Sequence, residues 1–600
     1  MTTPQTLDLF PIGNCAVSAL IDRHGRFVWG CAPRVDSDPV FSALLSDRDP
    51  RDPEARGLWD IEVEGAVSTE QAYLRNTPIL RTVITDADGA QLEILDFAPR
   101  YSQFGRSFRP TTFIRMVRPL SGVARVTIRL RPAASWGARR AETTSGSNHI
   151  RYLCSDVILR LTTDAPVSHI LEERTFRLEQ PLALHLGPDE GFDADVTTTC
   201  ERMLNQTQAY WLNWVRGLAL PLEWQSAVIR AAITLKLCTH EETGAIVAAM
   251  TTSIPEHADS GRNWDYRYCW LRDAYYVVQA LNRLGAVDIL ENYLGYLRNI
   301  VDRAAGGHIQ PLFGVGFEPA LTERFAPDLP GYRGMGPVRI GNQAHEHQQH
   351  DVYGQIILST VQAFFDERLL RPATEDDFRA LEPVGERAFQ LHDQPDASLW
   401  EFRGRANVHT YSAVMCWAAC DRLGNAAEKL GLSDRAAFWN ARAAQVRQTI
   451  DTRAWNAELG RFAATFDGDE LDASLLQLVD LRYLQADDPR NTATVAAVEA
   501  GLRKGAYLLR YALPDDFGAP QTAFNICTFW LIEALHLAGR TEEARDLFEE
   551  MLARRTAAGL LSEDIGFADG ELWGNYPQTY SLVGLINCAV LLSRPWSSVR

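Results

Sequence analysis

The spacing of apolar residues changes near residue 220, and this change divides the 600-residue chain into two parts. Before it, apolar side chains occupy every second position, as in 112–118, 124–131 and 157–163. Such alternation buries one face of a strand and exposes the other, which is typical of antiparallel sheets that pack face to face. We therefore predict an N-terminal antiparallel β-sandwich domain over residues 1–215.

From about residue 224 the apolar period becomes 3.6, which indicates helices. Twelve are predicted, near 224–240, 268–284, 288–304, 351–370, 375–392, 410–430, 434–455, 472–484, 493–504, 522–538, 541–555 and 577–592. The even-numbered helices are apolar around most of their circumference, whereas the odd-numbered ones carry charge on one side.

An all-apolar helix belongs inside a fold, and a helix with one apolar stripe belongs outside. Alternation of inner and outer helices therefore predicts an (α/α)6 barrel over residues 216–600. Together with the β-sandwich this makes an α+β protein of two domains. A helical solenoid is less favoured, because no repeating sequence unit supports it.

The charge of the chain argues against nucleic-acid and membrane partners. It carries 59 basic and 77 acidic side chains, and the net charge of −18 repels both kinds of anionic surface. No stretch approaches the roughly 20 apolar residues that span a bilayer, and residues 1–10 lack the segments of a signal peptide. We expect a cytoplasmic protein; whether it forms a homo-oligomer stays open.

Polar and aromatic residues cluster in a few segments, each of which precedes or opens an even-numbered helix. These segments are 262–273, 341–351, 399–404 and 561–578. In a barrel of alternating helix direction these helix ends meet at one mouth, so the segments are expected to line one pocket. Tryptophan and tyrosine faces beside carboxylates and arginines suit a sugar, whose C–H faces stack on rings and whose hydroxyls bind charged groups.

Cleavage of a glycosidic bond needs two carboxyl groups that flank the bond. One must stay protonated near neutral pH, and burial among aromatic rings achieves this by disfavouring the carboxylate. The other must stay ionised, and we expect it to be exposed to water.

The sequence resembles glycoside hydrolase family 15, the glucoamylases and bacterial α,α-trehalases, in the version with a β-sandwich before the barrel. The resemblance covers essentially the whole chain. It rests on Pro-Ile-Gly-Asn-Cys at 11–15, Ala-Pro-Arg-Val-Asp at 32–36, the segment 262–273, and Gly-Glu-Leu-Trp-Gly-Asn-Tyr-Pro-Gln-Thr-Tyr at 570–580.

The resemblance implies an exo-acting, inverting mechanism that releases β-glucose. Glu401 matches the acid of a Trp-Glu-x-Arg-Gly motif, and Glu563, in Leu-Ser-Glu-Asp, matches the base. Glu571 and Asp564 are the rivals for the base. Inverting geometry calls for carboxyl groups about 6.5–9.5 Å apart.

The resemblance also implies a set of substrate-binding residues. Arg272 and Asp273 should hold the remote hydroxyls of the non-reducing glucose, although they could instead form a structural ion pair. The full set is Tyr266, Trp270, Arg272, Asp273, Gln349, Trp400, Arg403 and Trp573.

One segment departs from the family pattern Gln-x-Gln-x-Asp-x-Tyr-Gly. The first Gln is His347 here, and Glu346 and His350 add polarity. The preferred leaving group should therefore differ from that of relatives. A metal bound by His347 and Asp351 is the alternative at this segment; the mechanism has no use for one, so we expect no metal and no cofactor.

The leading hypothesis is hydrolysis of a small-molecule α-glucoside, such as trehalose, or of an α-glucan end. An inverting phosphorylase of similar architecture is the first alternative, and the presence of a base at Glu563 argues against it. A non-catalytic sugar-binding relative is the second, and the presence of both Glu401 and Glu563 argues against it.

Overall fold

Two antiparallel sheets form the N-terminal part of the computed structural model, which describes residues 5–46 and 48–599. The first sheet runs in the order Phe10–Gly13, Ser18–Ile21, Phe27–Cys31, Leu58–Val63, Arg125–Arg131 and Phe176–Arg177, with Pro39–Phe41 beside Phe27–Cys31. The second runs Glu142–Ser145, His149–Leu153, Ile158–Thr163, Leu182–Gly187, Phe113–Ser121, Gln91–Phe97, Leu80–Asp86 and Ala66–Tyr73.

The sheets pack face to face through aromatic side chains, which confirms the predicted sandwich. In the first sheet, the ring centroids of Phe27 and Trp59 are 5.2 Å apart. The Phe27 centroid also lies 5.8 Å from that of Phe113 in the second sheet. Arg115 of the second sheet also joins the layers: it forms a buried ion pair with Asp96 of its own sheet at 2.7 Å and donates to the Trp59 carbonyl of the first sheet at 2.9 Å. Every polar partner of Arg115 is thus provided inside the protein, as burial of a charge requires.

The helical part consists of alternating inner and outer helices. The inner ones are Leu271–Arg283, Asp351–Val361, Thr410–Lys429, Asn525–Leu537 and Thr579–Leu592, with the 3-10 helix Ala473–Leu478 between the third and fourth. The outer ones are Gln225–Leu237, Val287–Ala304, Glu375–Leu391, Ser433–Arg453, Pro489–Leu502 and Thr541–Ala553. Val167–Leu171 and Val196–Arg216 precede them, so the proposed domain division after residue 215 falls at a helix end and stays a prediction.

The inner elements close into a ring. Each contacts the next, and the last, Thr579–Leu592, contacts the first, Leu271–Arg283. The inner elements are buried around nearly their whole circumference, while Thr541–Ala553 buries only one face. The predicted α/α barrel and its parity are therefore confirmed.

One predicted helix is wrong. Residues 472–484 form only the 3-10 helix Ala473–Leu478. The Asp472 carboxylate accepts from the Ser474 backbone N–H at 2.7 Å and caps the segment. At the other end Arg482 adopts a left-handed backbone with φ of 62°, which no helix can continue through.

Short hairpins and 3-10 turns connect the longer elements. The paired strands are Tyr101–Gln103 with Arg106–Phe108, Ala133–Ala134 with Arg139–Arg140, Thr239–His240 with Ala245–Ile246, Cys269–Trp270 with Leu312–Phe313, Arg324–Phe325 with Arg339–Ile340, Trp455–Asn456 with Arg461–Phe462, Arg503–Lys504 with Tyr507–Leu508, and Thr522–Phe524 with Asp564–Gly566 and Leu572–Trp573. The remaining 3-10 helices are Ala43–Leu45, Tyr332–Gly334, Gln343–Glu346, Gln362–Phe364 and Trp596–Val599. Among the described residues, every helix is too short or too polar to cross a membrane.

Two glycines test how tightly the ring is packed. A Cβ atom at Gly354, in an inner helix, would lie 2.4 Å from the Met415 carbonyl of the neighbouring inner helix, whereas one at Gly295, in an outer helix, would meet no atom within 4 Å. Gly354→Ala should therefore force the helices apart and destabilise the protein by about 1–3 kcal/mol. Gly295→Ala should stabilise it by about 0.5–1 kcal/mol, because alanine restricts the unfolded chain.

Thermal unfolding of both variants measures this difference. A melting temperature that rises equally for Gly354→Ala and Gly295→Ala would contradict close packing of the ring.

Candidate active site

The four segments singled out in the sequence line one cavity of about 830 Å³, measured with its open mouth. Each segment contributes at least one residue to the cavity wall, namely Trp270, Asn342, Glu401 and Glu563 in chain order. The convergence follows from the closed ring, because each segment leads into the same end of an inner helix. The prediction of one shared pocket is confirmed for these four segments.

Glu401 stands on a loop with an unusual backbone. Its φ is 63° and that of Ser398 is 65°, both left-handed, a conformation that costs a non-glycine residue about 1–3 kcal/mol. The bent loop turns the carboxyl group toward Trp270, whose indole N–H donates to Glu401 Oε1 at 2.6 Å. Arg272 lies 3.5 Å from the same oxygen. The side chain remains 21% exposed, so Glu401 can reach a ligand.

Trp400 fixes this loop to the barrel. Its indole N–H donates to Asp472 Oδ2 at 2.6 Å, and its ring packs against Phe524 and Trp530 with centroids 5.9 and 6.2 Å away. Burial raises the pKa of Asp472 to about 6, against the opposing effect of its hydrogen bonds. The same residue that caps the short 3-10 helix therefore anchors the Glu401 loop.

Glu563 is more deeply buried than Glu401, with 1% of its surface exposed. Tyr266 donates its hydroxyl proton to Glu563 Oε1 at 2.5 Å, while Oε2 has no hydrogen-bond partner. Burial, and then the neighbouring carboxyls of Asp564 and Glu256, raise the pKa of Glu563. The expectation of a wet carboxyl at this position is wrong, because Glu563 is buried and the Tyr266 hydroxyl occupies one of its oxygens.

An aromatic pair connects the two carboxyl groups. The rings of Tyr266 and Trp270 meet edge to face, with centroids 5.3 Å apart. Because Tyr266 binds Glu563 and Trp270 binds Glu401, the pair fixes both carboxyl groups relative to one wall of the cavity. Two carboxyl groups held in this way could act together on a substrate bond placed between them.

Arg272 and Asp273 lie in the same wall and form an ion pair at 3.3 Å. Apart from this contact, Asp273 Oδ2 has no hydrogen-bond partner in the described part of the chain. Burial raises the pKa of Asp273 to about 6, and Arg272 partly opposes this. An ion pair and a sugar-binding role are thus compatible, since each partner keeps hydrogen-bonding capacity toward the cavity.

A fifth segment also lines the cavity, and the sequence analysis missed it. It contributes Arg510, Tyr511, Asp515, Asp516 and Phe517. It precedes the inner helix Asn525–Leu537, so the parity rule that found the other segments would have included it.

The fifth segment brings arginine–carboxylate pairs to the cavity. Arg510 binds Glu256, and Arg262 donates to both carboxylate oxygens of Asp515 at 2.6 and 2.9 Å. The backbone N–H of Arg403 donates to Asp516 at 2.8 Å. These contacts tie the segment to its neighbours across the mouth.

Arg403 forms part of the cavity rim as expected. Its guanidinium lies 4.5 Å above the Trp264 ring and binds Glu323 at 2.9 Å. Both neighbours hold it extended, so its charge is oriented rather than free to move.

Two predicted binding residues do not reach the cavity wall. Trp573 pairs with Asp564 across the sheet, and this register turns its ring onto Tyr332, with Arg333 5.2 Å from its centroid. Gln349 is 1% exposed, and neither of its side-chain polar atoms has a partner. The prediction that they line the pocket is therefore wrong for Trp573 and Gln349.

The rivals for the base also lie outside the wall. Glu571 is 39% exposed and binds Arg333 at 2.8 Å. Asp564 is 1% exposed. Neither is among the residues that line the cavity.

His347, the residue that departs from the family pattern, does line the cavity. Burial lowers the pKa of its imidazole, and the nearby Glu401 opposes this, so the ring is neutral near pH 7. Its Nδ1 has no partner. Across residues 5–46 and 48–599, no group of three or more histidine, cysteine, aspartate or glutamate side chains is arranged to hold a metal ion.

Comparison with known proteins points to one family. The model of glycosyl hydrolases family 15 matches residues 224–590, and that of a trehalase-like N-terminal domain matches residues 8–176. The trehalase of Mycolicibacterium smegmatis is 30% identical over 632 residues, covering 98% of this chain and 92% of that protein. The trehalase of Thermoplasma volcanium is 29% identical over 587 residues, covering 96% and 92%.

One solved structure shares the whole architecture. A bacterial glucoamylase complexed with acarbose superposes with a TM-score of 0.69 at 15% identity, covering 98% of this chain and 94% of that one. Such a likeness supports the β-sandwich and α/α barrel fold.

Proposed function

The chain belongs to glycosyl hydrolases family 15, and on that premise we propose that it hydrolyses α-glucosides with Glu401 as general acid and Glu563 as general base. One observation carries this proposal. Both carboxyl groups line one cavity, and each accepts a hydrogen bond from one member of the Tyr266–Trp270 pair.

In this mechanism Glu401 gives its proton to the glycosidic oxygen as the bond to the anomeric carbon breaks. A water molecule attacks the same carbon from the opposite face and gives a proton to Glu563. The new C–O bond inverts the configuration, so an α-glucoside yields β-glucose. The partial exposure of Glu401 suits the side from which the leaving group departs, and the burial of Glu563 suits a single bound water.

Trehalose is the proposed substrate. The named relatives that match almost the whole chain are trehalases. Arg272 and Asp273 bind the glucose that is cleaved, and Arg403 and His347 bind the leaving sugar beside Glu401. Release of glucose from an α-glucan end is the second candidate.

The charges near Glu563 disfavour a phosphorylase. Phosphate in place of water would need cations free to bind it. Of the arginines near Glu563 in the described part of the chain, Arg510 binds Glu256 and Arg262 binds Asp515. The cytoplasmic location and the absence of a nucleic-acid partner stay predictions from composition.

The two glutamates can be told apart by their leaving-group dependence. Glu401→Gln and Glu563→Gln should each lower kcat on trehalose by about 10²–10⁴-fold, since each removes a proton-transfer group. Fluoride leaves without protonation, so Glu401→Gln should keep much of its rate on α-glucosyl fluoride, whereas Glu563→Gln should lose both activities.

Initial rates on trehalose, maltose, isomaltose, kojibiose, nigerose, soluble starch and α-glucosyl fluoride test this prediction. The matched control is Glu571→Gln, which changes an exposed glutamate in the same loop and should leave every rate unchanged. Loss of activity in Glu571→Gln with a normal rate in Glu563→Gln would overturn the choice of base.

Tyr266→Phe should move the acidic limb of the kcat/KM profile to higher pH. The Tyr266 hydroxyl donates to Glu563 and lowers its pKa. Without this donor the pKa of Glu563 rises, so a higher pH is needed to ionise the base. Loss of one hydrogen bond to a charged group is worth about 1.5–3 kcal/mol, or roughly 1–2 pH units.

Tyr296→Phe is the control, because the Tyr296 hydroxyl donates to the Gly314 carbonyl at 2.9 Å, outside the cavity. If the acidic limb of Tyr266→Phe stayed at the wild-type pH, Tyr266 would have no influence on the pKa of the base.

His347→Gln should change the use of sugar leaving groups only. We expect kcat/KM for trehalose to fall about tenfold, which corresponds to the loss of one hydrogen bond. The value for α-glucosyl fluoride should stay unchanged. His345→Gln is the control, because the His345 imidazole binds the Asn342 carbonyl and lies outside the cavity wall. Equal losses on both substrates would show that His347 acts elsewhere than on the leaving sugar.

A further inference from the structure

Two consecutive carboxyl side chains, Glu563 and Asp564, are both buried with 1% of their surface exposed. Their unpartnered oxygens, Glu563 Oε2 and Asp564 Oδ2, face the same point beside Gly574. A Cβ atom at Gly574 would occupy that point, 2.8 Å from Glu563 Oε2 and 3.3 Å from Asp564 Oδ2. Only glycine leaves the two oxygens this common space.

In the described ranges, the pair has no cation of its own. The nearest arginines are matched to other carboxylates, Arg510 to Glu256 and Arg262 to Asp515. In the part of the chain that the structure describes, no basic nitrogen lies within 4.0 Å of a carboxyl oxygen of Glu563 or Asp564. Two buried carboxylates in such proximity cannot both ionise, so the pair must retain one proton near neutral pH.

The hydrogen bonds indicate which member keeps that proton. The Tyr266 hydroxyl lies 2.5 Å from Glu563 Oε1, within the range of a bond to an ionised carboxylate. The Thr522 hydroxyl lies 3.1 Å from Asp564 Oδ1, which is longer than a bond to an ionised carboxylate. Glu563 also lines the cavity, whereas Asp564 does not.

We infer that Asp564 is a positioning residue that carries the one proton of the pair, so that the cavity-facing Glu563 is the ionised member. Deprotonation of the water by Glu563 then needs no prior loss of a proton to solvent. The inference rests on the proposed role of Glu563 as base.

The charged and titratable groups around the pair agree with this reading. Burial and the Glu256 carboxylate raise the pKa of Asp564, against Arg510, the Thr522 hydroxyl and Arg262. Since the two carboxyls titrate together, the retained proton belongs to the pair, and the hydrogen bonds set its position.

Infrared difference spectroscopy at pH 7 tests the assignment. Relative to the wild type, Asp564→Asn should lack one band of a protonated carboxylic acid. The matched control is Asp569→Asn, which removes an exposed aspartate in the same loop and should lose a carboxylate band. Loss of a carboxylate band in Asp564→Asn would overturn the inference.

Rates give the second readout. Asn is neutral and similar in shape to a protonated Asp, so Asp564→Asn should keep kcat/KM within about tenfold, with the acidic limb unmoved. An ionised Asp564 would instead give an acidic limb at lower pH in the variant, because a negative neighbour of Glu563 has gone, and this result would contradict the inference.

A measurement on the wild-type enzyme avoids any folding defect of the variant. Neutron diffraction from crystals exchanged into D2O should locate a deuteron on Asp564 and none on Glu563; the reverse would refute the inference. These spectra and maps report protonation whatever the role of Glu563, while the rates of Glu563→Gln test that role.

Discussion

The closed ring of inner helices is the constraint on which the site depends. Closure brings the same end of every inner element to one mouth, so residues far apart in sequence become neighbours. Trp270 and Glu401 are 131 positions apart, and Tyr266 and Glu563 are 297 apart, yet each pair shares a hydrogen bond. The contact between the Tyr266 and Trp270 rings then sets the two carboxyl groups in one frame.

Inside that frame, the surroundings of the two acids differ. Glu401 stands on a left-handed loop fixed by Trp400 and Asp472, and it stays partly exposed. Glu563 is buried and bound by the Tyr266 hydroxyl, and a second buried carboxyl, Asp564, follows it in the chain. Here the retained proton near the base is assigned to Asp564, which leaves both cavity-facing acids free for their proposed tasks.

Much of the fold and of the site could be predicted from the sequence, because the spacing of apolar residues indicates which side of a strand or helix is buried. The change from period two to 3.6 predicted both architectures, and parity predicted which segments meet. The prediction of the eighth helix was wrong because Arg482 adopts a left-handed backbone that a helix cannot continue through, and nothing in the local apolar spacing indicates this. The prediction that Trp573 lines the cavity was wrong because the strand register, which the apolar spacing does not reveal, turns its ring toward Tyr332. The burial of Glu563 could not be predicted, since its cover comes from other segments.

The configuration of the first glucose formed from α-glucosyl fluoride tests the central claim most directly. Proton NMR during the first turnovers, before mutarotation, distinguishes the two anomers. Water activated by Glu563 on the face opposite the leaving group must give β-glucose. α-Glucose as the first product would mean that the two carboxyls do not act from opposite faces, and it would contradict the account.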